Sequence, residues 1–295
     1  MSRHPGPPAR YAAVAFLSDF GLDDIFVGVC HGVLARFAAH ARVIDLTHAV
    51  PRGDVATGAV LLARAATYQP VSVHLAVVDP GVGTERRGVA VVADRGDVLV
   101  GPDNGLLVPA ARALGGVVAA FELADPQARL QPVADTFHGR DVFAPAAGLI
   151  AAGHDPRNLG PAVTDLTDVQ TVPAAAVAGG RLRASVTLVD RFGNLQLAAS
   201  TADLASLGAE LGDEVFVAHG GRWWTARWAR TFGDVAAGDM LVHQDGDRAL
   251  AVAVNRGSAA ARTGAARGDV LTLAPASTTP HGGRDAHRGT DERGS

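Results

Sequence analysis

The chain has 295 residues and a formal net charge of −4, with 48% hydrophobic and 19% charged residues, a balance that excludes an intrinsically disordered chain. All 26 basic residues are arginine, which excludes Schiff-base and P-loop lysine chemistry. The single cysteine, Cys30, excludes intramolecular disulfides and Cys-based metal sites, and its apolar neighbours favour a small buried residue. Without a basic patch or an apolar run long enough to cross a bilayer, we expect a cytoplasmic protein with no nucleic-acid or membrane partner.

The first half of the chain alternates strand-like and helix-like segments. Residues 71–78 form a nearly continuous apolar run, which is typical of a strand covered on both faces. The predicted strands are residues 11–17, 42–46, 71–78, 88–93 and 97–100, and the predicted helices are residues 24–38, 54–67, 104–114 and 141–152. This alternation predicts an α/β N-terminal domain over residues 11–165 with a mostly parallel sheet.

The second half has a different pattern, with short strands separated by turn residues and little helical periodicity. The predicted strands are residues 183–189, 194–197, 214–218, 222–228, 239–243, 249–254 and 269–273. They predict a smaller all-β, barrel-like C-terminal domain over residues 181–275, joined to the first domain by a linker at 166–180. Residues 276–295 contain almost no large apolar side chain, so we expect a disordered tail.

Three polar clusters lie at the ends of predicted elements, where parallel sheets gather functional groups. SDFGLDD at 18–24 follows the first strand, DPGVGTERR at 79–87 follows the most apolar strand, and FHGRD at 137–141 precedes a helix. An acid paired with an arginine, together with a histidine, can hold a water or an anion beside a base. On spacing alone, such an aspartate is more often a turn residue or a helix cap than a catalyst, so the functional interpretation depends on the three clusters meeting at one edge of the sheet.

Motifs for several other chemistries are absent from the sequence. No G-x-G-x-x-G follows the first strand, and the P-loop, H-E-x-x-H and G-x-S-x-G motifs are missing. Asp23, Asp24, Asp79 and His138 could supply an oxygen and nitrogen metal site, but their spacing matches no known metal motif. We therefore expect neither a metal nor a cofactor.

Seven stretches of the sequence carry a family resemblance when they are taken in order. They are FLSDFGLDDIFVGVCHGV, DLTHAVPRGDVATGA, VVDPGVGTERR, VGPDNGLL, FHGRDVFAP, VDRFGNLQL and AVNRGSAA. Together they resemble the S-adenosyl-L-methionine hydroxide adenosyltransferases, relatives of fluorinase and chlorinase, over about residues 12–275.

The resemblance implies hydrolysis of S-adenosyl-L-methionine to adenosine and L-methionine by in-line attack of water or hydroxide on the ribose C5′. It also implies an N-terminal α/β domain, a C-terminal β-barrel, and a homotrimer with active sites at subunit interfaces.

The resemblance implies three catalytic residues. The family's aspartate, arginine and histidine match Asp79, Arg86 and His138, and the neighbouring Arg87 is an alternative to Arg86. In the halogenating relatives, the positions that match Asp79 and His138 are usually tyrosines. Because a halide is already an anion and needs no base, a carboxylate and an imidazole at these positions favour water as the nucleophile.

The resemblance assigns three aspartates to the ribose and the methionine. Asp19 matches the aspartate that accepts hydrogen bonds from both ribose hydroxyls, as a carboxylate can. Asp190 matches the residue that faces the methionine ammonium, and Asp24 is a candidate near the methionine.

Five further residues are assigned to the adenine. Asn194 matches the amide that reads the base, Phe192 and Phe232 match the aromatic side chains that pack on it, and backbone groups of Val254 and Arg256 match its edge contacts. The alternative interpretation of the two phenylalanines is ordinary core packing.

One stretch departs from the family pattern. Residues 243–251 read HQDGDRALA, where the family often has Ser-x-Gly-Tyr-Leu-Glu with a serine that contacts the methionine carboxylate. Gln244 or Arg248 could replace that serine. The departure leaves open a module that binds S-adenosyl-L-methionine or adenosine without turnover. A halide transferase and a metal-dependent hydrolase also stay open as interpretations of the sequence.

Overall fold

A computed structural model of the protein describes residues 11–169, 173 and 175–276. The chain divides into two compact units, Met1–Thr171 and Val172–Ser295. The predicted tail lies outside the described residues from position 277 onward. Within the described ranges, no helix combines the length and the apolar character needed to cross a membrane.

The first unit is built on a six-stranded sheet. Its strands are β1 (Ala13–Ser18), β2 (Arg42–Thr47), β3 (Val73–Val77), β4 (Gly88–Ala93), β5 (Val98–Pro102) and β6 (Val117–Glu122). Its helices are α1 (Phe26–Phe37), α2 (Val55–Thr67), α3 (Val108–Ala113) and α4 (Ala144–Ala151). The strand order is β2-β1-β3-β5-β4-β6, and β4 alone runs in the direction opposite to the other five strands. The predicted α/β domain with a mostly parallel sheet is confirmed.

Two hydrophobic layers cover the two faces of this sheet. Successive side chains of a strand point to opposite faces, so Leu75 and Val77 pack in a core with α1 and α4. Ala76 and Val78 pack in a second core with α2 and α3. Because both faces are covered, β3 is buried along its whole length, as its continuous apolar run predicts.

Cys30 lies in α1 and is fully buried in the first of these cores. Burial raises the pKa of Cys30 to about 12, so its thiol stays protonated at neutral pH. The prediction of a small buried residue is confirmed.

The structure differs from the predicted elements at three places in the first unit. Strand β6 was not predicted, because Val117 and Val118 are exposed on this edge strand and mask its alternation. Helix α3 begins at Val108 rather than at 104. The Asn104 side chain donates to the carbonyl of Val78 and accepts from the amide of Leu106, and these two bonds keep the residues before α3 in a loop. The helix predicted at 141–152 begins earlier, as a π-helical segment at Gly139–Phe143 that continues into α4.

The second unit is a closed β-barrel. Its strands are β7 (Ala176–Ala178), β8 (Arg181–Val189), β9 (Leu195–Leu197), β10 (Glu214–His219), β11 (Arg222–Trp228), β12 (Met240–Gln244), β13 (Leu250–Val254) and β14 (Val270–Pro275). Two short helices, α5 (Thr201–Ala205) and α6 (Ala259–Thr263), were not predicted. Strand β14 pairs with β8, so seven strands close a ring in the order β14-β10-β11-β12-β13-β9-β8, which confirms the barrel-like prediction.

Both ends of the predicted linker have defined contacts. Asp168 forms a β-bridge with Gly105 and accepts a hydrogen bond from Arg112 of the first unit. Strand β7 lies inside the predicted linker and pairs with the first residues of β8 in the second unit.

Candidate active site

The loop after β3 holds an aspartate and an arginine in a two-pronged ion pair. Arg86 donates from Nε to Asp79 Oδ1 at 3.1 Å and from Nη2 to Oδ2 at 2.5 Å. The two side chains are only 10% and 6% exposed, so little water competes for the contact. Two parallel hydrogen bonds fix the plane of the guanidinium as well as its distance from the carboxylate.

The fold of this loop depends on Gly83. The glycine has a φ of +79°, and a Cβ atom at this position would lie 2.8 Å from the carbonyl oxygen of Asp135. The Thr84 hydroxyl closes the same turn by donating to the carbonyl of Gly81 at 2.7 Å. The loop therefore packs closely against the segment that leads to His138.

His138 joins the ion pair through Arg86. It directly precedes the π-helical segment, and its Nδ1 lies 3.1 Å from Arg86 Nη2. Since a guanidinium can only donate, Nδ1 accepts, and the proton of the neutral ring is on Nε2. Burial lowers the pKa of His138 and the Arg86 charge lowers it further, against the Asp79 carboxylate, which raises it. The three residues form one hydrogen-bonded network around a neutral imidazole.

Arg87 points to other partners. Its guanidinium donates to Asp103 Oδ2 at 2.6 Å and to Asp165 Oδ1 at 2.9 Å. Arg86 is thus the arginine that contacts both Asp79 and His138, as the register of the resemblance implies.

Asp19 and Asp24 lie on the loop after β1. The backbone amide of Asp19 donates to the carbonyl of Val77 at the end of neighbouring β3, so Asp19 and Asp79 follow adjacent strands at the same edge of the sheet. Asp19 Oδ2 accepts from the amide of Gly53 at 2.8 Å. Asp24 is exposed and accepts only from the adjacent amide of Ile25 among the described residues.

The alternative metal set does not assemble. Asp23, Asp24, Asp79 and His138 belong to no group of three metal-binding side chains in the described part of the chain.

A separate cavity of about 850 Å³ lies in the second unit, a size that suits a small organic ligand. All of the substrate-binding residues that the resemblance assigned to this unit line it: Asp190, Phe192, Asn194, Phe232, Val254 and Arg256. Residues spread over more than sixty positions of sequence thus share one concave surface of the barrel.

A tight turn sets the position of Asn194. Asp190 Oδ1 accepts from the backbone amides of Phe192 and Asn194, and its Oδ2 accepts from Asn194 Nδ2 at 2.7 Å. Gly193 in this turn has a φ of +79°, and a Cβ there would lie 2.0 Å from the Ser258 hydroxyl. Much of the Asp190 carboxylate is therefore engaged in shaping the turn.

The two phenylalanines are not core residues. Phe192 is 67% exposed and Phe232 is 40% exposed, and neither belongs to the barrel core. Because both rings are exposed, the core-packing interpretation is wrong. Large apolar rings on a cavity wall are available to contact a ligand.

His243 is a cavity residue that the sequence marked only as part of a departure from the family pattern. Its ring lies 5.1 Å from that of Phe232, and its Nδ1 donates to the carbonyl of Gln244 at 3.0 Å. Its Nε2 is therefore an acceptor in the neutral ring, and it is buried with no partner among the described residues. Gln244 also lines the cavity, and Arg248 does not.

Comparison with protein families places these two sites in a known context. A family model described as the SAM hydroxide adenosyltransferase N-terminal domain matches residues 14–160, and one for the C-terminal domain matches residues 184–272. The chain belongs to this family. In the family's terms, Asp79, Arg86 and His138 lie in the N-terminal domain, and the 850 Å³ cavity lies in the C-terminal domain.

Individual relatives support the assignment along almost the whole chain. An (R)-S-adenosyl-L-methionine hydrolase from Salinispora tropica is 51% identical over 261 residues, which are 88% of this chain and 97% of the relative. One from Thermus thermophilus is 43% identical over 88% of this chain and 98% of the relative. A solved structure of an uncharacterized conserved protein from Thermotoga maritima has a TM-score of 0.83 at 32% identity, covering 88% of this chain and 99% of that one.

The halogenating branch is more distant. A fluorinase from an Actinoplanes species is 25% identical over 66% of this chain and 74% of the relative.

Proposed function

We propose that the chain hydrolyses S-adenosyl-L-methionine to adenosine and L-methionine. The observation that carries this proposal is the buried network of Asp79, Arg86 and His138 in a chain that is 43–51% identical to named S-adenosyl-L-methionine hydrolases. The network supplies one positive charge, one carboxylate and one neutral imidazole, which are the groups needed to make hydroxide from water near neutral pH.

Arg86 stabilises the hydroxide in this proposal. Free water has a pKa near 15.7, so a nearby cation has to favour its anion. A guanidinium held in place by Asp79 acts without reorganising, and its Nη1 donates no hydrogen bond to the described residues. Asp79 therefore serves to orient the cation and the water.

His138 takes the proton from the water. As negative charge develops on the water oxygen, that oxygen competes with His138 Nδ1 for the Nη2 proton of Arg86. Weakening that contact frees the Nδ1 lone pair, and the neutral imidazole becomes the proton acceptor. The lowered pKa of His138 keeps the ring in this neutral form at physiological pH.

The bond changes need no acid. The water oxygen forms a bond to C5′, the C5′–sulfur bond breaks, and its electron pair stays on the sulfur of methionine. The leaving group is a neutral thioether that needs no proton, and the proton from water leaves through His138. Because opposite charges cancel in the transition state, exclusion of water from the site favours the reaction.

The cavity of the second unit binds the nucleoside in this proposal. The exposed rings of Phe192 and Phe232 pack on adenine, Asn194 reads its edge, and the backbone at Val254 and Arg256 supports it. His243 lines the same cavity, and its Nε2 provides an acceptor for the exocyclic amino group.

The remaining roles concern the ribose and the amino acid. Asp19 accepts from the ribose hydroxyls, Asp190 faces the methionine ammonium, and Asp24 lies near the methionine. Gln244 supplies a neutral amide for the methionine carboxylate in place of the family's serine, since it lines the cavity and Arg248 does not.

Product analysis distinguishes the proposed reaction from halide transfer, metal-dependent hydrolysis and binding without turnover. Purified protein is incubated with S-adenosyl-L-methionine in buffers with chloride, fluoride or EDTA, and the nucleosides are separated by liquid chromatography. We expect equimolar adenosine and methionine in every buffer, since the reaction needs no metal or cofactor. The relatives' names specify the (R) form, so the sulfonium epimers are assayed separately, and we expect the (R) form to react faster. A 5′-halo-nucleoside, loss of turnover in EDTA, or binding without products would contradict the proposal.

We also propose that the protein is a homotrimer whose active sites take residues from two subunits. The support is the family membership and the exposed apolar side chains of Leu22, Ile25 and Phe26 on the loop after β1. Light scattering should give three times the chain mass of 30.1 kDa. A monomer with full turnover would contradict it. A cytoplasmic location stays a prediction of the sequence.

A further inference from the structure

A second group of metal-binding side chains lies in the first unit, outside the residues assigned to the reaction. His31, Asp45 and His48 each offer a ligand atom within 4.8 Å of the other two. The Nε2 atoms of His31 and His48 lie 2.8 Å and 3.0 Å from the same oxygen, Asp45 Oδ1. In the described part of the chain, no other group of three histidine, cysteine or acidic side chains is this close together.

The buried imidazole of His48 points to a ligand. Its side chain is only 2% exposed, and its Nε2 lies 3.0 Å from Asp45 Oδ1 without the geometry of a hydrogen bond to any described residue. Buried polar atoms in proteins nearly always make a well-directed hydrogen bond. A buried ring nitrogen that faces a carboxylate and a second imidazole without such a bond therefore requires an explanation. A bound cation supplies one, because a neutral imidazole coordinates a metal through this lone pair.

The neighbour of His48 sets the ring in the form that a metal requires. Ser18 Oγ lies 2.7 Å from His48 Nδ1 and also accepts from the amide of Phe20. When Nδ1–H donates to this oxygen, the Nε2 lone pair is directed toward Asp45 and His31. Metal-binding histidines typically donate their second ring N–H to an oxygen in this way.

The geometry of the three side chains suits zinc. Ligand atoms about 2.0–2.2 Å from a tetrahedral Zn²⁺ lie about 3.3 Å apart, so the observed 2.8 and 3.0 Å need only a small expansion. His31 is 35% exposed and Asp45 is 42% exposed, which leaves a path for the ion and room for a water ligand. Two imidazoles and one carboxylate favour zinc over magnesium or calcium, which prefer oxygen ligands.

We propose that His31, Asp45 and His48 form a zinc site that stabilises the base of the loop after β1. The ligands come from α1, from β2 and from the residue after β2, so the ion connects a helix to the edge strand. His48 also accepts from the amide of Gly21 through its carbonyl at 2.8 Å. The ion adds stability at the base of the loop that carries Asp19, but it takes no part in the attack on C5′ and turnover does not require it. Its removal by EDTA therefore lowers the melting temperature rather than the rate.

Calorimetric titration tests the site. Metal-free full-length protein is titrated with ZnCl₂ and, separately, with MgCl₂. The variants His31→Ala and Asp45→Asn change partly exposed ligands, and circular dichroism verifies their fold. The matched control is the double variant His281→Ala and His287→Ala, which removes two histidines from outside the cluster.

We expect Zn²⁺ to bind the wild type and the control with equal affinity, Mg²⁺ not to bind, and both ligand variants to bind Zn²⁺ at least tenfold more weakly. Failure of the wild type to bind, equal affinity in His31→Ala, loss of binding in the control, or equal affinity for Mg²⁺ would overturn the proposal. X-ray absorption at the zinc edge of the wild type is a test that needs no variant. Two imidazole ligands are expected, and a spectrum without imidazole would equally overturn the site.

Discussion

The two units present their candidate site residues in opposite states, bonded to one another in the first and exposed in the second. In the first unit, Asp79, Arg86 and His138 are already bonded to one another, and the ion pair is nearly buried. In the second unit, Phe192 and Phe232 stand exposed on the wall of an open cavity. The residues proposed to act on water are therefore already held in place by one another, and the residues proposed to hold the nucleoside keep apolar surface for it to cover. Substitutions in the two units should therefore affect different kinetic constants.

The largest effect is expected from Arg86→Ala. Removing a preorganised donor that stabilises an oxyanion typically lowers kcat about 10²–10³-fold, and here the donor also carries the positive charge. Initial rates of adenosine release measure the loss. The variant also leaves Asp79 buried without its partner, which costs about 3–5 kcal/mol, so a thermal melt must show that it remains folded at the assay temperature.

Arg87→Ala is the matched control for Arg86→Ala. Arg87 pairs with Asp103 and Asp165 and has no contact with His138 in the described residues. Turnover should stay within a few-fold of the wild type, with a lower melting temperature as the main effect. Equal loss of turnover in both variants would remove the distinction between the two arginines.

His138→Ala should lower kcat by about 10²-fold, the usual contribution of a general base. Because the pKa of His138 is lowered, its neutral form persists below the ordinary histidine value of about 6.5. Turnover of the wild type should therefore be constant above about pH 6.5 and should fall only below it. In His138→Ala, this fall of turnover at acidic pH should disappear. The exposed His154 provides the control, His154→Ala, with an unchanged profile. An acid limb at or above 6.5 would contradict the assignment.

The smallest effects are expected in the second unit. Phe232→Ala should raise KM about tenfold with little change in kcat, because stacking on a base contributes about 1–3 kcal/mol. Phe192→Ala should act in the same direction. Leu211→Ala removes a similarly exposed apolar side chain that does not line the cavity, and it should leave KM unchanged. A fall in kcat at constant KM in Phe232→Ala would contradict the assignment of turnover to the first unit and of nucleoside binding to the second.

Most of the fold could be predicted from the sequence because the hydrophobic pattern is strong where both faces of a strand are covered. Strand β3, which was predicted from its apolar run, is an example. The prediction missed β6, whose exposed Val117 and Val118 hide the alternation, and the short helices α5 and α6, which are held by Ser200 and Ser258 side-chain caps. Local capping of a five-residue helix leaves almost no periodicity to detect.

The candidate site also has a part that the sequence predicted and a part that it could not. Motif order indicated Asp79, Arg86 and His138, but sequence could not show that Arg86 Nη2 bridges the other two, because that contact depends on the close packing at Gly83. Nor could it show that His243 lines the cavity with Nε2 unpaired, since a lone histidine in a strand is more often an ordinary core residue. Such features depend on side-chain orientation, which a one-dimensional pattern does not encode.

The central claim is that this protein transfers the adenosyl group to water activated by Arg86 and its two partners. The most direct measurement is mass spectrometry of the products formed from S-adenosyl-L-methionine in oxygen-18 water, with wild-type and Arg86→Ala protein in parallel. We predict one heavy oxygen in the 5′-hydroxyl of adenosine, none in methionine, and almost no labelled adenosine from the variant. Unlabelled adenosine, or labelled adenosine formed at the same rate by both proteins, would contradict the account.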